Sequence, residues 1–269
     1  MKRIIIYDIK KGVLHMWPRF VLSGVLLLLL SMAQARQVRE LVGSGVYSSP
    51  SFGNYLAVWL KGMDEMALHI KDVRQIALPV EWLMLQFNYM FLMVGYIQTD
   101  LKRSGCQLIL RAGGRRSWWI SKCIWSAAAT AVYYLMFYAI LACISKITGG
   151  LALMPQSEIW ISDLEFPSER RFLFVIFVML PVSSFTAGLA QILVELASSP
   201  AVALAAGCGY QFAVLYWSCP LLVGNYAMLY RSSRFAGTGA SLALGLCICI
   251  AFLLCIYVAG CYYVKRMEF

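Results

Sequence analysis

Residues 17–35 read WPRFVLSGVLLLLLSMAQA, with a single charge, Arg19, near the start and five consecutive leucines, Leu26 to Leu30, at the centre. A helix needs about 20 apolar residues to cross the hydrocarbon core of a bilayer, where no water is present to satisfy backbone polar groups. This stretch approaches that length. Five others follow it, at about 78–98, 119–144, 172–196, 200–223 and 241–264. The predicted fold is therefore all-α: a polytopic membrane protein with six transmembrane helices, organised as a single domain over residues 1–269.

Composition points the same way. Of 269 residues, 61% are hydrophobic and 13% charged, against roughly 45–50% and 25% in soluble domains. A soluble enzyme, a disordered chain and a collagen-like chain are all excluded. The formal net charge of +10 would suit a nucleic-acid partner. The basic residues, however, gather at the ends of apolar segments, where they face lipid phosphates and set topology. The lipid bilayer is thus an expected partner, and nucleic acid is not. The nine cysteines lie nearly all inside apolar runs, with no C-x-x-C pair and no nearby histidine. They read as small hydrophobes, and no metal site is expected.

An even number of spans puts both termini on one side. The dense basic clusters lie at the N-terminus (Lys2, Arg3, Lys10, Lys11, Arg19) and between the second and third spans. Such clusters mark the cytoplasmic face. The expectation is a multi-pass plasma-membrane protein with both termini in the cytoplasm. A rival reading takes the first span as a signal peptide cut at Ala33-Gln34-Ala35. The long basic region and the five later spans favour a retained helix.

Residues 1–16 fit an interfacial helix, with Ile5, Ile9, Gly12, Val13 and Met16 along one stripe and Arg3, Lys10 and Lys11 off it. A plain basic tail that enforces topology fits equally well. Residues 36–77 are an expected extracellular loop, with a short amphipathic helix expected over Tyr55 to Ile70. It reads either as a cap over a transport pathway or as a solvated connector; nothing in it specifies a ligand, which favours the connector. Glu158, Asp163, Glu165 and Glu169 read as a solvated acidic loop, because spacing alone builds no oxygen cage.

The most informative loop, residues 99–119, reads TDLKRSGCQLILRAGGRRSWW. Arg111, Gly113, Arg115 and Arg116 surround a turn. Trp118, Trp119 and Lys122 follow as interface anchors, since amphipathic rings beside cations sit well at headgroup level. The bland reading is a charged connector with an aromatic anchor. The sharper one is a docking element for a cytoplasmic partner.

Together with its flanks, Leu85 to Trp125, this loop resembles the permease subunits of type-2 ATP-binding-cassette (ABC) exporters of Gram-positive bacteria. The resemblance rests on an R-x-G-x-R-x-x-W-W-x-x-K pattern: Arg111, Gly113, Arg115, Trp118, Trp119 and Lys122. It implies that residues 99–119 form a cytoplasmic coupling helix docked on a separate ABC ATP-binding subunit. It also implies that two permease chains, alike or different, work with two ATPase chains. Arg111, Gly113, Arg115 and Arg116 would then form the docking surface, while Trp118 and Trp119 fix the depth of the third span. The chain contains no G-x-x-x-x-G-K-[ST] phosphate loop. No cofactor is expected in it; ATP and Mg would belong to the partner.

Other functions compete. A membrane enzyme would need intramembrane histidines or carboxylates, but His15 and His69 lie outside the spans and Glu81 and Glu195 lie near span ends. Gln191 and Glu195 share a helix face and read as structural. An ion transporter would need ionisable groups at mid-depth. The span centres instead offer neutral groups such as Gln86, Asn88, Thr130, Ser183, Ser184, Thr186 and Gln211. Of the polar residues, Gln86, Asn88, Thr130 and Gln191 are the candidates to line a pathway for an amphipathic substrate. A non-transporting immunity or assembly subunit stays open as a further alternative. Gly188, Ala203, Gly207 and Gly209, and Gly239, Ala243 and Gly245 in the sixth span, suit close helix packing, while Pro181, Pro200 and Pro220 would kink or start helices.

Overall fold

The computed structural model describes residues 2–43, 50–63, 78–101, 114–155, 169–231 and 242–267. Its elements are α1 (Lys2–Gly43), α2 (Phe52–Leu60), α3 (Val80–Met93), α4 (Tyr96–Asp100), α5 (Arg115–Thr148), α6 (Glu169–Ala197), α7 (Pro200–Tyr216), a 3₁₀ turn (Val223–Ala227) and α8 (Leu242–Arg266). No strand occurs among the described residues; one isolated bridge joins Ser51 to Gly150. The long helices run back and forth between two ends. One end, here the terminal end, carries the start of α1, α4, the start of α5 and the close of α8. The far end carries α2 and the segment 217–231.

Among the described residues, four helical stretches are long and apolar enough to cross a membrane: Met16–Glu40, α5, α6 and α8. They turn large apolar residues outward, Leu29, Leu135, Leu254 and Val258 among them. That pattern suits lipid and not water. The expected second and fifth spans differ: α3 has 14 residues and α7 has 17. The run at 78–98 is not one helix. It breaks at Val94-Gly95, where Gly95 adopts φ 87°, a left-handed backbone that glycine takes without a Cβ clash.

The separate interfacial helix expected at residues 1–16 is corrected as well. Residues 2–43 form one helix of 42 residues that continues through Pro18. Tertiary packing holds the first turns in line with the span: a Cβ at Gly12 would stand 2.1 Å from Trp125 Nε1, so α1 lies directly on that indole. A helix lying in the interface would lose this contact.

At the far end, the expected solvated connector is instead a docked element. Eight of the nine residues of α2 are buried. Ser51 and Asn54 form a capping box at its start. Trp59 meets Phe137 edge-to-face at 5.2 Å, and the Tyr55 hydroxyl bonds Thr148 at 2.9 Å. Residues 64–77 lie outside the described residues, as do Glu158, Asp163 and Glu165; Glu169 opens α6.

α6 contains a π-helical turn at Val175–Met179, just before Pro181. Leu180 N–H reaches back to the Val175 carbonyl. The next carbonyl, Ile176, would need the N–H that Pro181 lacks, and Tyr138 on α5 donates its hydroxyl there at 2.6 Å. α7 begins as expected, with Pro200 in its first turn and the Ser199 hydroxyl accepting from Val202 N–H.

Candidate functional site

Three buried charged side chains meet at the terminal end. Asp8 on α1, Asp100 at the end of α4 and Lys122 in the second turn of α5 converge. Lys122 Nζ lies 2.8 Å from Asp8 Oδ1 and 2.7 Å from Asp100 Oδ2, with all three side chains at most 3% exposed. Two carboxylates share one ammonium, and neutral donors carry the remainder. Ser121 donates its hydroxyl to Asp8 Oδ2 at 2.5 Å, and Trp118 Nε1 donates to Asp100 Oδ2 at 3.3 Å. The Tyr96 hydroxyl donates toward Asp8, at 3.3 Å from its carbonyl and 3.4 Å from Oδ1. The ammonium also stands over the Tyr96 and Trp118 rings, at 4.7 and 5.3 Å from their centroids. Tyr96 in turn stacks on Trp125 at 3.9 Å.

Buried ion groups of this kind rarely stabilise a fold more than apolar packing would, because desolvation offsets the attraction. Their contribution is geometric. Here the geometry joins the two stems of the 102–113 loop: Asp100 lies just before it, and the first turns of α5 lie just after it. Both are fixed to α1.

A second anchor secures the break in front of α4. Glu195 on α6 accepts from Gly95 N–H at 2.7 Å and from Gln98 N–H at 3.1 Å, satisfying donors that open the short helix. Gln98 Nε2 returns two bonds, to the Glu195 carbonyl at 3.2 Å and the Ser198 carbonyl at 3.0 Å. Arg19 donates to the Val94 carbonyl. Gln191 Nε2 donates to the Met90 carbonyl at 3.0 Å, one of the last four that α3 leaves without a helical partner. Gln191 and Glu195 thus hold the break together, in keeping with a structural reading of that face.

Each of the residues expected to line a pathway bonds another side chain or a backbone carbonyl. Gln86 Oε1 accepts from Ser184 at 3.1 Å and from Gln211 at 3.4 Å, and Ser184 also bonds Tyr134 at 2.5 Å. Thr130 bonds Tyr89 at 2.8 Å, and Asn88 Nδ2 donates to the Ser23 carbonyl at 3.2 Å. These bonds tie α3 to α1, α5, α6 and α7. Of the small residues, Gly188 lies on Tyr89, Gly207 beside Gln191 and Met90 and Gly245 on Tyr226, whereas a Cβ at Gly209 would meet nothing within 4 Å.

Of the docking residues, Arg111 and Gly113 lie outside the described residues. Arg116 is exposed, while Arg115 donates to the Lys265 carbonyl at 2.6 Å and so ties the start of α5 to the end of α8. The interface-anchor assignment is corrected. Trp118, Trp119 and Lys122 are buried inside the bundle, not turned to lipid headgroups. Trp119 Nε1 donates to the Tyr257 carbonyl at 3.1 Å, and its ring lies so close to α8 that a Cβ at Gly260 would stand 2.1 Å away. Sequence reasoning missed the partners of Lys122. A signal was there: a lysine inside an apolar stretch predicts a buried acid, and Asp8 precedes the first span while Asp100 follows the second.

A different buried charge marks the far end. Arg231 is 1% exposed. It donates to the carbonyls of Val214, Leu215, Trp217 and Met63 and to Asn225 Oδ1, closing the C-terminus of α7.

No group of three or more metal-ligating side chains occurs among the described residues. Comparison with protein families, with characterised proteins and with solved structures finds no match to this chain. What the fold defines is an all-helical protein whose apolar helices fit a transmembrane protein.

Proposed function

We propose that this chain is the membrane-spanning permease subunit of an ATP-driven, type-2 ABC exporter. It lies in the plasma membrane with both termini in the cytoplasm and pairs with a second permease chain. A separate ATP-binding subunit holds ATP and Mg and docks on the loop that contains Arg111. The substrate is an amphipathic or hydrophobic molecule (peptide, lipid or drug-like) moved by alternating access.

The observation that carries this reading is the Asp8–Lys122–Asp100 triad. A loop that receives mechanical work must be held at both stems, or the push is spent in bending it. One ammonium shared between α4 and α1, on a side chain of α5, makes those three elements answer together.

The test is co-purification. Charge reversal at Arg111, Arg115 and Arg116 is expected to release the ATPase while the permease keeps its helical content. An intact complex in that variant overturns the docking assignment. A second reading, a non-transporting immunity or assembly subunit, draws on the mutual bonding of Gln86, Ser184, Tyr134 and Gln211, which suits a static core. It predicts that the chain purifies without an ATPase.

A further inference from the structure

A groove of about 630 Å³ lies between α1 and α5 toward the far end. That volume falls within the range of ligand pockets, about 300–1,000 Å³. Ala35 and Ile144 form its floor, both buried. Leu28, Met32 and Ile147 form its walls and remain 41%, 56% and 73% exposed, so the groove opens sideways to the surroundings of the bundle. Its concavity comes from the change from Leu26–Leu30 to the small Ala33 and Ala35 on the same helix.

Two arginines, Arg36 and Arg39, complete the lining. They are three residues apart and so share a helix face. Both are exposed, and neither makes an ion pair or hydrogen bond with a described residue. The nearby carboxylate on α1, Glu40, is exposed and likewise pairs with neither. Depth fits as well. The rise from Arg19 to Arg36 is about 26 Å at 1.5 Å per residue, close to the hydrocarbon thickness of about 30 Å. Arg36 and Arg39 therefore stand at headgroup level, directly beyond an apolar trough.

We propose that this groove seats an anionic phospholipid from the leaflet at the far end. An acyl chain lies along Leu28, Met32 and Ile147, and the phosphate is held between Arg36 and Arg39. Arginine suits this task because its planar donors match phosphate oxygens in pairs, and basic pockets between transmembrane helices bind anionic headgroups. The proposal does not depend on ATP-driven transport.

The test is native mass spectrometry of the full chain in detergent, with phosphatidylglycerol or phosphatidylcholine of equal chain length. The wild type is expected to retain phosphatidylglycerol about tenfold better, given the electrostatic gain per arginine near a headgroup. Arg36→Gln with Arg39→Gln abolishes the preference, and Arg36→Lys with Arg39→Lys keeps most of it. Ala33→Leu, which fills the trough and leaves both arginines in place, lowers phosphatidylglycerol retention with the melting temperature unchanged. Equal retention of the two lipids by the wild type overturns the proposal. So does a preference that survives the glutamine pair, or a cross-link through Cys143 showing a second copy of the chain in the groove.

Discussion

The buried cations at the two ends of the bundle meet different groups among the described residues. At the terminal end, Lys122 is neutralised by side chains from two other elements, Asp8 and Asp100. At the far end, Arg231 donates to backbone carbonyls at the end of α7 and to one amide oxygen. Carbonyls at a helix terminus cannot leave without unwinding the helix, so Arg231 is a fixed staple. Carboxylates on separate helices can part when the helices move. The terminal end is therefore where relative motion would be registered, and the far end is where it would be resisted.

The comparison breaks first at Lys122. Lys122→Met leaves two carboxylates facing each other in a buried site. Removing one partner of a buried ion pair costs about 3–5 kcal/mol, to be read as a large fall in the melting temperature of the detergent-solubilised chain. Replacing all three together (Asp8→Asn, Asp100→Asn, Lys122→Met) should recover most of that loss, because no charge remains stranded. Next comes Arg231→Met, which strips donors from the end of α7 and should cost about 1.5–3 kcal/mol. Faster hydrogen exchange confined to the last turn of α7 and to residues 223–231 is the expected signature. Smallest is Glu195→Gln. It keeps one acceptor for the amides that open α4 but sets an NH₂ group against the other. A loss of about 1 kcal/mol is expected, with exchange quickened at Gly95 and Gln98 and unchanged at Arg231.

The same contrast separates what the sequence made legible from what it hid. The last helix is expected at 241–264 and observed as Leu242–Arg266, because an uninterrupted apolar run admits one solution in a bilayer. The break at Gly95 was hidden. Its neighbours are apolar, and the groups that stabilise it, Glu195 and Gln191, come from about a hundred residues away. The docking of α2 was hidden for a similar reason: its partner surface, Phe137 and Thr148, belongs to α5. Trp118 and Trp119 looked like headgroup anchors because their composition fits that role. Their actual partners, Asp100 and the Tyr257 carbonyl, are long-range neighbours that no local pattern specifies.

The most direct measurement is hydrogen–deuterium exchange on the proposed complex of this chain with an ATPase, with and without ATP. It compares the wild type with the chain whose triad is neutralised at Asp8, Asp100 and Lys122. In the wild type, ATP should alter exchange together in the 102–113 loop, in α4 and in the first turns of α1. In the neutralised chain, the loop should respond while α1 does not. An identical ATP response along α1 in both proteins would contradict a mechanical role for the buried triad.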